Sequence, residues 1–269
     1  MRIGLVTCSR LPEPDIDAQP LADAARDAGH EPVDVPWDAP DLPACEVYVL
    51  RSCWNYHEHP DAFRAWIDHV GASATLVNAP EVVRWNMDKR YLVEFAEAGL
   101  HVIPTRVVED PATDTVDLQG PVVLKPVVGA ASRDTKRFDD PDRARADLRR
   151  RTEPTLVQPV APGFDDPGER SIIWIDGTWT HAVRKRPRYH GEDESVEASH
   201  PPTDDEIALG EAALAHTPGP LVYARLDVID DAHGRPMLSE FEVIEPSLFF
   251  PFGPEAARRL VVALERHAP

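Results

Sequence analysis

The first third of the chain alternates short apolar runs with helical segments, and that alternation commits it to a parallel sheet with helices packed on it. Arg2–Thr7 (RIGLVT) has strand length, and Leu21–Ala28 has helical spacing and stops at Gly29, a residue suited to a left-handed C-cap. Glu31–Val35 and Val47–Arg51 read as the next strands, Asp61–Val70 as a helix closed by Gly71, and Thr75–Asn78 as a fourth strand. The class is α/β, a small doubly wound sheet whose ligands bind beyond the strand C-termini. The polar loops after the first and third strands, SRLPEPD and SCWNYHEHPD, are therefore expected at a substrate-binding edge.

The rest of the chain changes pattern. Residues 85–99 read as one helix with Asn86 or Asp88 as its cap and Gly99 at its end, followed by a strand over Ile103–Val108. Residues 121–186 then give two strands, a helix over Asp142–Arg151, the strand TLVQPV and a further strand pair, a small α+β unit. Residues 188–205 are acidic and aperiodic, as in a surface loop. A helix over Glu206–His216, two strands joined by DAHGRP and a last helix over Glu255–His267 complete the chain.

At 269 residues the chain can bury a substantial core. Its 28 basic and 47 acidic residues give 28 − 47 = −19, a charge that repels nucleic acid and anionic membrane. With a mean hydropathy of −0.35 and no apolar run near the ~20 residues of a membrane span, the expected location is cytoplasmic. Cys8, Cys45 and Cys53 match no zinc spacing and read as buried or half-buried thiols. Only four of the 28 basic residues are lysine: Lys89, Lys125, Lys136 and Lys185. A lysine kept against an arginine background suits a compact, mobile charge, as in phosphate contacts.

Two patterns carry chemistry. In YARLDVIDDAHGRPMLSEFEVIEPSLFF, alternate residues of a strand share a face, so Glu240 and Glu242 point the same way and Asp227 on the partner strand can face them. Three acids among Leu, Val and Ile need a charge partner, since unpaired burial costs several kcal/mol each. A hard divalent cation with nucleotide phosphates supplies one; a solvent-facing strand edge is the alternative. Arg225 shares the face of Asp227 and could stabilise an anionic intermediate. In VVLKPVVGAASRDTKRF, Lys125 sits in an apolar strand before Gly129, Ala130, Ala131 and Ser132, where backbone amides can approach phosphate oxygens. No Walker spacing is present, and a lysine snorkelling from a strand end is the other reading.

The order of these features resembles the ATP-grasp superfamily, in particular its prokaryotic glutathione synthetase and RimK-like branch and the cyclising ligases of cycloserine biosynthesis. The resemblance runs along nearly the whole chain: a helix-borne Lys89, the strand lysine Lys125, the hinge-like VQPV, Glu169 before a strand and the Asp…Glu-x-Glu hairpin with its following Pro-Ser. It implies a Rossmann-like N-terminal domain (1–82), a central segment (83–120), a small α+β lid (121–186) and a C-terminal α+β lobe with the metal site (187–269). It further implies that Lys89 and Lys125 contact ATP phosphates, that Gln158, Pro159 and Val160 border the adenine, and that Glu169 holds the ribose. Asp227, Glu240 and Glu242 would hold magnesium, or manganese in its place, with Lys185 near the transferring phosphate.

Two positions depart from the pattern. Glu242 stands where asparagine is usual, and Ser171 where arginine is frequent, which moves that phosphate contact to Arg170 or Arg184. The implied reaction joins an activated carboxylate to a nitrogen nucleophile through an acyl phosphate, with lid closure excluding water. Ring closure and a kinase that stops at phosphoryl transfer are alternatives on the same fold; a nucleotide-binding pseudoenzyme is the non-catalytic one. The expected partners are small carboxylate and amine substrates, and a homodimer stays open. Arg51, Trp54, Asn55 and Ser247 are the expected substrate contacts, Arg51 through a carboxylate, with Ser9 and Arg10 as weaker candidates.

Overall fold

The N-terminal apolar runs pair as a parallel sheet in the order β2–β1–β3–β4: β1 (Arg2–Thr7), β2 (Glu31–Pro36), β3 (Val47–Ser52) and β4 (Thr75–Val77). The computed structural model describes residues 1–130, 133–186 and 195–268. Every residue of β3 is buried because helices cover both faces of the sheet. Helix α1 (Ala18–Asp27) turns Leu21, Ala22, Ala24 and Ala25 inward, and α2 (Pro60–Ser73) turns Phe63, Ile67 and Val70 inward. Gly71 does not close α2: the helix runs through it, and a Cβ there would lie 2.6 Å from Pro80 Cγ.

The single helix expected over 85–99 is two, α3 (Pro80–Asn86) and α4 (Tyr91–Glu97), so Lys89 lies in the turn between them rather than on a helix. Tertiary hydrogen bonds win over helix propensity here. The Asn86 side chain donates to Phe241 O at 2.8 Å and accepts from Val243 N at 3.1 Å, while Lys89 N donates to Val127 O at 2.9 Å. The strand expected over 103–108 shrinks to β5 (Arg106–Val108), since Ile103 N is drawn to Leu238 O.

A four-stranded antiparallel sheet, ordered β5–β8–β6–β7, uses β6 (Val122–Pro126), β7 (Lys136–Phe138) and β8 (Thr155–Pro159). Helix α5 (Pro141–Leu148) covers it, packing Ala144 and Leu148 with Val122, Leu124 and Val157.

The five-stranded antiparallel sheet is ordered β11–β10–β9–β12–β13, from β9 (Glu169–Ile175), β10 (Thr178–Lys185), β11 (Val196–Ala198), β12 (Tyr223–Asp230) and β13 (Pro236–Glu242). β9 and β10, expected beside the lid strands, therefore lie in the sheet of the acidic hairpin. β9 is apolar on both faces: Ile172 packs into the core that holds Tyr91 and Leu209, and Ile173 and Ile175 into the one that holds Leu260 and Val261. Such a strand needs a central place. α6 (Asp204–Ala215), with a Thr203/Glu206 capping box, supplies Leu209, and α7 (Pro254–His267) supplies Leu260 and Val261. β11 falls inside the segment expected to be irregular, and Val196 pairs with Lys185. Among the described residues no helix is long and apolar enough to cross a membrane. Cys8 and Cys53 are buried and Cys45 half-buried.

Candidate active site

A cleft of about 820 Å³ is lined by Lys125 and Gln158 of the four-stranded sheet, by Asp227 and Glu240 of the five-stranded sheet, and by Trp54 and Tyr56 from the loop after β3. On β12, Tyr223, Arg225 and Asp227 share one face while Ala224, Leu226 and Val228 enter the core on the other. Register then sets Asp227 opposite Glu240 and Arg225 opposite Glu242. The expected convergence of acids on one sheet face is therefore met at the level of strands.

At the level of side chains, each acid turns to a base. Glu240 Oε1 accepts from Lys125 Nζ at 2.8 Å and Oε2 from Lys89 Nζ at 3.1 Å, so one carboxylate joins β6, the α3–α4 turn and β13. Arg225 donates to Asp227 at 2.8 Å and to Glu242 at 2.6 Å. Lys185 Nζ bridges Glu169 at 2.5 Å and Asp227 at 3.2 Å, and Ser171 Oγ donates to Asp227 Oδ1 at 2.5 Å. Among the described residues no three ligating side chains are gathered as a ready metal cluster.

Charge states follow from these partners. Burial alone would raise Glu240, but Lys125 and Lys89 outweigh it and hold the carboxyl well below its ordinary value. Asp227 is likewise held low, against burial, by Arg225 and Lys185. Glu242 goes the other way: burial outweighs Arg225, and the charges of Asp227 and Glu240 help push it to about 7. Burial and then Glu242 push Glu245 up to about 8.

The remaining expected residues divide. Pro159 lines the cleft beside Gln158, whose amide donates to Thr105 Oγ1 at 2.9 Å; Val160 does not line it, and its N–H is bound to Pro121 O at 3.0 Å. Glu169 lines the cleft but is engaged by Lys185 and by Ser239 Oγ at 3.1 Å. Trp54 and Ser247 line it; Arg51, Asn55, Ser9 and Arg10 do not. Arg51 is 3% exposed and turns to Asp17 and Pro246 O, while Asn55 joins Trp37 Nε1 to Asp38. Ser9 is also bound to Asp38. Arg170 is sequestered by Glu206 at 2.7 Å and Arg184 donates to Pro167 O at 2.9 Å, so neither replaces the arginine missing at Ser171. Arg133, Arg137 and Arg186 line the cleft, each also paired with an acid, Glu153, Asp165 and Glu197 respectively. Ala131 and Ser132, and the stretch 187–194, lie outside the described residues.

Sequence reasoning also missed contributors. Asn86 lines the cleft while bridging Phe241 and Val243, and Glu13 and Glu245 line it too. The signal for Glu245 was the third acid spaced along EFEVIE; Glu13 carries none beyond its place in the first loop.

The family described as the N-terminal domain of D-cycloserine synthetase DcsG matches residues 3–78. The cycloserine biosynthesis protein DcsG of Streptomyces lavendulae is 30% identical over 297 residues, 99% of each chain being covered. The chain belongs to the DcsG family of ATP-grasp ligases. As a DcsG-family ligase it superposes on crystalline D-cycloserine synthetase with a TM-score of 0.86 at 29% identity, over 99% of this chain and 100% of that one. The ATP complex of the D-alanine–D-alanine ligase of Bacillus anthracis shares the fold alone, at 15% identity and a TM-score of 0.70 over 99% and 97% of the two chains. The enzyme is thus a synthetase that forms C–N bonds, on the fold expected from its sequence.

Proposed function

We propose that this enzyme uses ATP and magnesium to activate the carboxylate of an amino-acid-like substrate as an acyl phosphate and captures it with a nitrogen nucleophile, the likeness to DcsG favouring capture within the same molecule to close a D-cycloserine-type ring. The observation that carries the proposal is the alternation of acids and bases along the cleft, Lys125–Glu240–Lys89 beside Arg225–Asp227–Lys185. Each acid is neutralised by a base of the type that binds phosphate. When the nucleotide arrives, Lys89 and Lys125 can pass from Glu240 to phosphate oxygens, which frees the carboxylate for a cation. The donor set fits: Asp227, Glu240 and Glu242 are hard oxygen donors on paired strands. Magnesium bound there would neutralise charge on the transferring phosphoryl group.

The chain's own residues do the rest. Lys185, bridging Glu169 and Asp227, carries positive charge at the metal-side wall, and Arg225 holds Asp227 and Glu242 in place. Both can offset charge that develops on phosphate and carbonyl oxygens. Lys125 couples the four-stranded sheet to the hairpin, so phosphate binding and lid position act through one side chain. Closure over the cleft would exclude water from the acyl phosphate. ADP release with magnesium, measured against amino acids and ureido or hydroxylamine compounds, tests the reading, with product masses separating ring closure, ligation and phosphorylation. No nucleotide binding by calorimetry at millimolar concentration would overturn it.

A further inference from the structure

The segment after the acidic hairpin is anchored one carbonyl at a time. Ile244 O accepts from Tyr223 Oη at 2.6 Å, Glu245 O from Trp54 Nε1 at 3.1 Å, and Pro246 O from Arg51 Nη2 at 2.9 Å. Three successive amides then donate to Asp17, from Leu248, Phe249 and Phe250. This fixes the backbone on both sides of Glu245.

The side chain so placed is anomalous. Glu245 is 8% exposed and lines the cleft, yet apart from its own backbone N–H no described residue donates to its carboxylate. The bases whose charge reaches it are Lys89 and Arg225. Lys89 is engaged by Glu240, and Arg225 by Asp227 and Glu242. Trp54 and Tyr56 contribute aromatic walls to the same cleft. A rigid carboxylate in the cleft wall to which no described base donates takes on its charge most readily when a cation enters beside it. Aromatic side chains lining the same cleft suit an organic ammonium better than a hydrated metal ion.

We propose that Glu245 is a specificity-determining residue that receives the ammonium group of the amino-acid-like substrate. The inference rests on the substrate class given above, and it adds the residue that distinguishes an amino acid from the corresponding acid without nitrogen. The α-ammonium pairs with Glu245, so the substrate enters with its carboxyl group free for activation.

D-cycloserine carries the required amine, and 3-isoxazolidinone is the same ring without it. Calorimetric titration of both into the magnesium–ADP-loaded enzyme tests the assignment. The wild-type enzyme should bind D-cycloserine at least about tenfold more tightly than 3-isoxazolidinone, the size of a charge-assisted contact in a closed site. Glu245→Gln should lose about tenfold or more in D-cycloserine affinity while binding 3-isoxazolidinone and magnesium–ADP within about twofold of wild type. Glu245→Asp, which keeps the charge, should fall between the two. Wild-type binding that fails to discriminate the two rings overturns the proposal, as does equal D-cycloserine affinity in Glu245→Gln. A change confined to magnesium–ADP affinity also overturns it and makes Glu245 a cation ligand. Absence of D-cycloserine binding to wild-type enzyme that does bind magnesium–ADP removes the substrate class itself, and the proposal with it.

Discussion

Arg51 and Asp17 form a buried ion pair, Nη2 to Oδ2 at 3.4 Å, between the end of β3 and the start of α1. Asp17 is fully buried, and its carboxylate also collects the amides of Leu248, Phe249 and Phe250 at 2.5, 3.1 and 2.7 Å. The Arg51 guanidinium lies over the rings of Tyr223 and Phe250 at 5.8 and 5.9 Å. The pair therefore ties the parallel sheet to the loop that carries Glu245 and Ser247. The pair braces the cleft wall from behind, and Arg51 does not itself line the cleft.

Arg51→Ala should accordingly act on stability before it acts on binding. It leaves Asp17 without its counter-charge, a loss on the order of 3 kcal/mol for a broken buried pair. The urea midpoint should fall, and the KM values for ATP and for the acceptor should rise together because the whole wall loosens. An unchanged midpoint with a rise confined to the acceptor KM would return Arg51 to the binding site.

Glu240→Gln should cut ADP release by about a hundredfold or more while the far-ultraviolet circular dichroism stays that of the wild type. The carboxylate is shared by Lys89 and Lys125, and the amide cannot balance two ammonium groups or offer a charged ligand to a cation. Near-normal turnover by a folded variant would remove Glu240 from the phosphate and metal chemistry.

These two residues mark what could be read in the sequence. Glu240 was legible because strand alternation and an apolar context force a same-face pair of acids, and register with Asp227 follows from the hairpin. Lys125 was legible for the same reason, as a charge inside an apolar strand. The place of Arg51 away from the cleft was not legible, because its strand end was known but its rotamer was not: the side chain runs to Asp17, whose sequence neighbourhood carries no mark of being a hub. The break at Asn86–Lys89 was hidden likewise, since nothing local announces that Asn86 will satisfy Phe241 and Val243 across the molecule. Strand pattern also identifies β9 and β10 without naming the sheet they join.

Gly210→Ala offers a control away from the cleft. A Cβ there would lie 2.2 Å from the Trp179 ring, and Trp179 Nε1 is held by Glu211 at 2.8 Å, so the ring cannot move without cost. Overpacking of this kind destabilises by roughly 1–3 kcal/mol. The melting temperature should drop by several degrees with kcat unchanged at temperatures where the protein is folded. A kcat that falls in proportion would link α6 to the chemistry.

The pH dependence of the ligand-free protein reports on Glu245. Burial first, and then the charge of Glu242, push its carboxyl up to about 8 from an ordinary 4.5. Between those values the folded protein holds a proton that the unfolded chain has released, so the folded state binds more protons and stability falls as pH rises. The fall begins near the unfolded value and levels off above about 8. Glu245→Gln has no proton to lose. Its stability should match that of the wild type near pH 4.5 and exceed it at pH 8.5, by an amount on the order of a few kcal/mol at most. Urea unfolding in the presence of a chelator, at pH values spanning this window, measures the difference directly. Addition of magnesium–ADP with D-cycloserine should shrink it, because an ammonium on Glu245 restores the carboxylate's partner and favours the charged form. Parallel stability curves for the two proteins across the window would mean that Glu245 ionises as an ordinary solvated acid, and that the cleft wall around it admits water.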